Sequence, residues 1–226
     1  MKGHGPARSW LAWVRNMPCT TALLGAFILS LLLQWTIDRP LAFFMRDMRD
    51  TPMGHFFSFV TEIGLGWPWY IGFLLAVLIC LSASKLALTM DRYDVWRART
   101  RRFIFALTAL VASGLAVTVL KQLFGRYRPK MLFAEDLYGF APFSGHTSFP
   151  SGHAQVIFAS MAALWFLFPR WRLVWGATAC LVGFSRVVVT AHYLSDIVMG
   201  GTLAIVITVG VHRWFEQNRT TSLTVR

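Results

Sequence analysis

The stretch FSGHTSFPSGHAQVIFASMAALWFLF, residues 143–168, joins a polar loop to a long apolar run. The triplet Ser-Gly-His occurs twice in it and ends at His146 and at His153. The apolar run begins directly after His153, whereas His146 is followed by residues 147–150, and Pro150 disfavours a helix just before it. The pattern therefore predicts that His153 lies on the first turn of a helix. It predicts His146 in a loop, where it at most lines the entrance to a site.

The composition is typical of a protein that crosses a membrane several times. Of the 226 residues, 56% are hydrophobic and only 14% are charged, whereas a soluble domain carries about a quarter charged residues. The net charge of +12 lies mostly in loops, where basic residues set topology and meet anionic lipid headgroups. Nucleic-acid binding is therefore not expected. Cys19, Cys80 and Cys180 lie inside apolar runs and predict neither a disulfide nor a metal site.

Six apolar segments are each close to the roughly 20 residues that a helix needs to cross the hydrocarbon layer. They are residues 17–37, 64–84, 103–120, 149–168, 173–189 and 193–211. The predicted fold class is therefore all-α, a polytopic membrane protein with six transmembrane helices. We expect one domain over residues 1–226.

The distribution of Lys and Arg predicts the orientation. With the N-terminus inside, 14 of the 22 basic residues lie in the inner loops and termini, and the cluster 92–102 dominates that count. The positive-inside rule thus favours cytoplasmic termini. Residues 38–63 then form an outer interfacial loop, in which 41–50 predict an amphipathic helix. The charged residues of that helix are expected to face solvent: Arg46, Asp47, Arg49 and Asp50.

Ionisable residues collect at four span ends that must share one membrane face. Because successive spans run in opposite directions, the ends of the third and fifth spans meet the starts of the fourth and sixth. With an inner N-terminus this face is the outer one. The residues at these ends are Lys121, Arg128, His153, Arg186, His192 and Asp196. Charge at or inside a span is costly and indicates function, although a structural ion pair between helices is the alternative for Arg186 and Asp196.

The basic members of this group predict a phosphate site. Arg128 and Arg186 each offer a planar fork of donors, and Lys121 offers a point charge. Ser151 and Gly152 open the fourth span, where free backbone N–H groups bind anions and glycine permits close approach. A phosphate is therefore the expected ligand.

The two histidines and the aspartate predict phosphoryl transfer. His192 and Asp196 are four residues apart and share a helix face, so the carboxylate can orient the imidazole as a nucleophile or base. His153 is then the natural acid for the leaving oxygen. The alternative is a metal site of two His and one Asp, but the surrounding cations would repel a divalent ion. No metal or cofactor is expected.

These residues resemble the three signatures of the type 2 phosphatidic acid phosphatase (PAP2) superfamily: KQLFGRYRP at 121–129, PSGH at 150–153 and SRVVVTAHYLSD at 185–196. The resemblance implies a six-helix bundle with its catalytic core at about 103–213, and metal-independent hydrolysis of a phosphomonoester or diphosphate through a phosphohistidine. It implies His192 as nucleophile, Asp196 as its orienting partner and His153 as acid. It also implies phosphate ligands, which are Lys121, Arg128, Ser151, Gly152 and Arg186. Arg126 and Lys130 fall outside the signature and are expected to contact headgroups or the loop.

The resemblance leaves several alternatives open. Vanadate-dependent haloperoxidases share the motifs but are soluble and larger, and a non-catalytic lipid binder or transporter would lack a catalytic residue. A lipid-to-lipid phosphotransferase differs only in the acceptor. The substrates considered are undecaprenyl diphosphate, which is preferred, phosphatidylglycerol phosphate, phosphatidic acid and lipid A phosphates, in a bacterial inner membrane. The loop 131–149 is expected to influence headgroup choice, with Glu135 and Asp136 solvated. No oligomeric state is predicted.

Overall fold

The computed structural model describes residues 17–224, and side chains to residue 218, and over this range the chain is helical without a β-strand. The α-helices are α1 (Pro18–Thr36), α2 (Asp38–Met48), α3 (Pro52–Val60), α4 (Gly66–Lys85), α5 (Met90–Phe124), α6 (Pro129–Glu135), α7 (Gly152–Leu167), α8 (Arg172–Val188) and α9 (Leu194–Thr224). Two 3₁₀ helices, Thr61–Gly64 and Pro169–Trp171, precede α4 and α8. The predicted all-α class is confirmed.

Four helical segments are long and apolar enough to cross a membrane. They are Pro18–Thr36, Pro52–Lys85, Met90–Phe124 and Leu194–Asn218. The helices α7 and α8 have 16 and 17 residues, which gives each a rise of about 25 Å, less than the hydrocarbon thickness of about 30 Å. The chain is thus a multi-pass membrane protein, and the count of six spans stays a prediction.

The outward faces of α1 and α4 are apolar. Their exposed large side chains include Leu24, Ile28, Leu32, Ile71, Leu75 and Ile79. In a bilayer such side chains meet lipid rather than water, so their exposure is not penalised. These two helices therefore form part of the lipid-facing wall.

Small side chains bring the central helices close together. Ala106 and Ala109 of α5, Ala159 and Ala163 of α7 and Ala204 of α9 are buried in one core cluster. Between membrane helices, small residues allow close backbone approach and dispersion contacts replace the hydrophobic effect. Residues of the three sequence motifs lie at the ends of these helices, with Lys121 on α5, His153 on α7 and Asp196 on α9.

The helix α5 begins earlier than the sequence predicts. The third apolar segment is predicted to start at residue 103, with the cluster 92–102 in an inner loop. The helix α5 instead starts at Met90, with Thr89 as N-cap accepting a hydrogen bond from the Arg92 N–H. Its 35 residues rise about 50 Å, so the basic cluster 92–102 extends the helix beyond the hydrocarbon layer. The loop assignment is wrong from residue 90 onward because charged helix formers prolong a capped helix in water.

The interfacial segment 38–63 is helical and packs against the bundle. In α2, Met45 contacts the cluster containing Ala154 and Val188, and Ala42 contacts Leu132. The predicted amphipathic helix is confirmed, and its four charged residues from 46 to 50 are exposed. The segment is thus part of the packed structure, because its apolar face covers the start of α7 and the end of α8.

Candidate active site

The structure brings the predicted site residues together at one end of the bundle. Lys121 lies in the last turn of α5 and Arg186 in the last turn of α8, whereas Asp196 lies in the first turn of α9. His153 lies in the first turn of α7, as predicted. Lys121, Arg128 and Arg186 lie close enough to His153 for their positive charges to act on it.

The starts of α7 and α9 are joined directly through their backbones. Ser151 is the N-cap of α7, and its hydroxyl accepts a hydrogen bond from the Ala154 N–H at 3.3 Å. Its own N–H donates to the Asp196 carbonyl at 3.0 Å. A Cβ at Gly200 would lie 2.6 Å from the Ser151 carbonyl oxygen, so only glycine permits this approach. The contact fixes Asp196 relative to Ser151 and His153.

Lys121 reaches over the N-terminus of α7. A Cβ placed on Gly152 would lie 3.3 Å from Lys121 Nζ. Lys121, Gly152 and His153 line one cavity of about 390 Å³. The ammonium group and the positive end of the helix dipole therefore face the same space, which favours an anion there.

The turn between α8 and α9 presents His192. Thr190 has φ of 53°, a left-handed conformation that is uncommon for a β-branched residue, and the His192 N–H donates to the Arg186 carbonyl at 3.2 Å. His192 Nδ1 lies 3.3 Å from Asp196 Oδ2. Since a carboxylate only accepts, Nδ1 carries the proton and Nε2 keeps a free lone pair.

Burial lowers the pKa of the His192 imidazole to about 4, and the hydrogen bond to Asp196 and its charge oppose this shift only in part. Because this value is well below 7, the ring is neutral at neutral pH. The neutral ring is the form that can act as a nucleophile.

Asp196 has a full set of donors. Its Oδ2 accepts from Ser148 Oγ at 2.6 Å and from the Tyr193 N–H at 3.0 Å, in addition to His192. Its Oδ1 accepts from Arg126 Nη1 at 2.5 Å. A carboxylate held at both oxygens cannot rotate, so the orientation of His192 is fixed as well.

Arg126 is the main residue that the sequence analysis assigns wrongly. It is expected to be a headgroup or loop contact, but it is fully buried. Its Nη2 donates to Asp38 Oδ2 at 2.8 Å, its Nη1 also donates to Ser195 Oγ at 2.6 Å, and it lies over the Tyr193 ring at 4.4 Å. A buried charge needs a partner, and the two carboxylates supply it. Lys130, the other such residue, is exposed.

A sequence signal for this network existed. Asp38 follows the first predicted span directly, at the membrane face that holds the other ionisable residues. The rule that charge beside a span indicates function applies equally to Asp38 and Arg126. Neither residue occupies a specified position of the three signatures, so the motifs alone do not place them in the site.

The two arginines predicted as phosphate ligands are held by threonines. Arg128 Nη2 donates to Thr147 Oγ1 at 3.2 Å, and Arg186 Nη1 donates to Thr61 Oγ1 at 2.7 Å. Arg186 Nε is buried and has no hydrogen-bond partner among residues 17–218. Sequence reasoning missed both threonines, because a lone hydroxyl carries no periodic signal. The arrangement orients the guanidinium groups and leaves donors for an anion.

His146 lies in the loop, as predicted. Its ring centroid is 4.4 Å from that of Tyr127, and the residue is partly exposed. In the same region Asp136 forms an exposed ion pair with Arg39 at 2.8 Å, a type of contact that contributes little to stability.

The acidic and histidine side chains are not grouped as a metal site within the described part of the chain. No three His, Cys, Asp or Glu residues there lie close enough to hold one ion. The carboxylates of Asp38 and Asp196 both pair with Arg126.

Two histidines, an anchored aspartate and three cations thus lie together at one end of the helices, and this charge favours a bound anion. Residues 102–220 match the PAP2 superfamily. A lipid A 1-phosphatase of Rhizobium johnstonii is 34% identical over 198 residues, which are 83% of this chain and 75% of that protein. An undecaprenyl-diphosphatase of Sulfolobus acidocaldarius is 30% identical over 109 residues, 46% of this chain and 52% of that protein.

The fold is also similar to a solved structure. The crystal structure of a transmembrane PAP2-type phosphatidylglycerolphosphate phosphatase from Bacillus subtilis has a TM-score of 0.67 at 19% identity, covering 89% of this chain and 97% of that chain. The chain belongs to the PAP2 superfamily, and the resemblance noted from its motifs is confirmed. It is an enzyme of the phosphatase class.

Proposed function

We propose that this chain hydrolyses a lipid phosphate through a phosphohistidine at His192, without a metal ion. The observation that carries the proposal is the contact between His192 Nδ1 and Asp196 Oδ2 at 3.3 Å. It leaves Nε2 of a neutral imidazole free beside three cations. Together these groups supply a nucleophile and charge stabilisation for the transferring phosphoryl group.

In the first step, His192 Nε2 attacks phosphorus and the bond from phosphorus to the leaving oxygen breaks. His153 donates a proton to that oxygen, since a bound phosphate dianion favours the protonated imidazole. In the second step, water attacks the phosphohistidine and gives a proton back to His153. Inorganic phosphate leaves and His192 is restored, so atoms and protons balance over the cycle.

The phosphate would be held by Lys121, Arg128, Arg186 and the N-terminus of α7 at Ser151 and Gly152. The unpartnered Arg186 Nε supports this assignment, because a buried donor without a partner is costly and a phosphate oxygen would satisfy it. The Lys121 ammonium beside Gly152 supports it as well.

We place lipid A phosphorylated at position 1 first among the substrates. The lipid A 1-phosphatase relative matches 83% of this chain, whereas the undecaprenyl-diphosphatase relative matches 46%. The sequence alone favours undecaprenyl diphosphate as the substrate. The coverage of the two relatives supports the opposite order of preference. We place the enzyme in a bacterial inner membrane with both termini cytoplasmic and the site on the outer face, because the inner segments hold most of the basic residues.

The test is phosphate release by purified protein in detergent with EDTA. The panel is lipid A, undecaprenyl diphosphate, phosphatidylglycerol phosphate and phosphatidic acid, with the His192→Ala variant as blank. We expect release from lipid A above the other lipids, and inhibition by vanadate, which mimics the transferring group. A requirement for added divalent metal would refute the proposed chemistry. Release only when a second lipid is supplied would identify a phosphotransferase instead.

A further inference from the structure

The cavity at the active site continues along the flank of the bundle between α4, α5 and α7. Lys121, Gly152 and His153 line it near the site, and Tyr70, Gly114 and Gln155 line it farther along. Gly114 precedes Lys121 by seven residues, which is about 10 Å along α5. The space next to the expected phosphate is thus continuous with a groove between α4, α5 and α7.

Gln155 is held in one orientation by α5. Its Nε2 donates to the Leu110 carbonyl at 3.3 Å and to Ser113 Oγ at 2.8 Å. A carbonyl oxygen only accepts, so the nitrogen of the amide must face α5 and both amide hydrogens are used. The Gln155 side chain is buried, with 3% of its surface exposed, and it lines the cavity, while its Oε1 accepts no hydrogen bond from the described residues.

Gly114 keeps the space beside this oxygen open. A Cβ at Gly114 would lie 3.7 Å from Gln155 Oε1 and 2.7 Å from the Tyr70 hydroxyl. The Tyr70 hydroxyl has a long contact of 3.4 Å with the Leu110 carbonyl, so it is weakly engaged. The groove therefore has apolar walls and one acceptor, Gln155 Oε1, which is fixed in position and accepts no hydrogen bond from the described residues.

We propose that this groove holds the leaving group of the lipid and that Gln155 Oε1 accepts a hydrogen bond from a hydroxyl or amide N–H on it. The inference rests on the proposed function and adds to it a residue that selects the leaving group. A polar acceptor in an apolar groove discriminates strongly against any ligand that gives it no hydrogen bond. An N-acylated amino sugar phosphate carries such a donor near the phosphate, whereas a polyprenyl diphosphate carries none on its chain.

The experiment compares kcat/KM for lipid A and for undecaprenyl diphosphate in the wild type and in Gln155→Met, which keeps the length and removes the amide. We expect a loss of about tenfold for lipid A and less than twofold for undecaprenyl diphosphate. Ser113 Oγ donates to the Ala109 carbonyl at 2.7 Å and so keeps a partner in the variant. An equal loss for both lipids, or no loss, would overturn the inference.

The matched control is Thr118→Val in the same groove. The Thr118 hydroxyl donates to the Gly114 carbonyl at 2.9 Å, so its removal should leave the ratio of the two lipids unchanged. A changed ratio there would show that any polarity change in the groove alters selectivity, which contradicts the role of Gln155.

A binding measurement separates this inference from the phosphatase proposal. In a His192→Ala background, the added Gln155→Met change should weaken binding of lipid A about tenfold and leave undecaprenyl diphosphate unchanged. If the wild type releases no phosphate but this difference in affinity is found, the phosphatase proposal fails and the groove assignment stands. Equal affinities in the two variants refute the groove assignment whatever the activity.

Discussion

Arg126 Nη1 lies 2.5 Å from Asp196 Oδ1, and both side chains are completely buried. The same guanidinium reaches Asp38 at 2.8 Å, so one residue links the start of α2 to the start of α9. Burial alone would lower the pKa of Arg126, but Asp196 and Asp38 raise it above its ordinary value. Arg126 therefore stays charged and anchors the carboxylate that orients His192.

Replacing Arg126 by lysine should lower kcat by about 10- to 100-fold with little change in KM. A lysine carries its three donors on one nitrogen and cannot span Asp38 and Asp196 as the two separate nitrogens of the guanidinium do. The His192 orientation therefore loosens while the phosphate ligands stay in place. Steady-state phosphate release gives both constants, and the midpoint of thermal unfolding verifies the fold. A rise in KM with unchanged kcat would instead place Arg126 among the phosphate ligands.

Replacing Asp38 by asparagine should destabilise the protein more than it slows catalysis. The guanidinium then loses one of its two buried counter-charges, and breaking such a pair costs about 3–5 kcal/mol at most, while the contact between Arg126 and Asp196 remains. Thermal unfolding and kcat are measured side by side. Asp47→Asn, at an exposed position of the same helix, is the control and should change neither. A variant of Asp38 with full stability would show that the α2 contact is not structural.

The sequence predicts the site well where a physical rule links position to function. Alternation of span direction places the end of α5 and the start of α7 at one face, and the apolar run after His153 places that histidine on a helix. The structure has both features. These rules need only segment order and the start of a helix, which a single sequence contains.

The parts that the sequence does not predict depend on tertiary contacts. The burial of Arg126 depends on α2 folding back over the bundle, and nothing local in residues 121–129 signals it. The hydroxyl partners of the arginines, Thr61 and Thr147, come from distant segments for the same reason. The length of α5 also differs from the predicted length. The residues beyond the hydrocarbon layer are no longer apolar, but they still favour a helix, so α5 continues through them.

Replacing His192 by alanine should reduce phosphate release to that of a reaction without enzyme, whereas replacing His146 by alanine should leave release within about twofold of wild type. His192 is buried and oriented by Asp196, while His146 contacts the Tyr127 ring in a loop. A phosphate-release assay on the preferred lipid compares the two variants directly. Substantial activity in His192→Ala, with loss in His146→Ala, would exchange their roles.

Alanine at Gly200 should lower kcat at least tenfold without altering the cations of the site. Its Cβ would lie 2.6 Å from the Ser151 carbonyl, so α9 must move away from the start of α7. Asp196, which orients the His192 ring, moves with α9, whereas His153 and Ser151 stay with α7. The distance between nucleophile and acid therefore changes, although no catalytic side chain is altered.

The control for Gly200 lies on the same helix. A Cβ at Gly210 meets nothing within 4 Å, so Gly210→Ala should keep full activity and gain up to about 1 kcal/mol of helix stability. Both variants receive the same methyl group in the same helix, and they differ only in what that group contacts. Equal kcat for the two would show that the approach of α9 to Ser151 does not set the catalytic geometry, while a loss confined to Gly200→Ala assigns that geometry to this backbone contact.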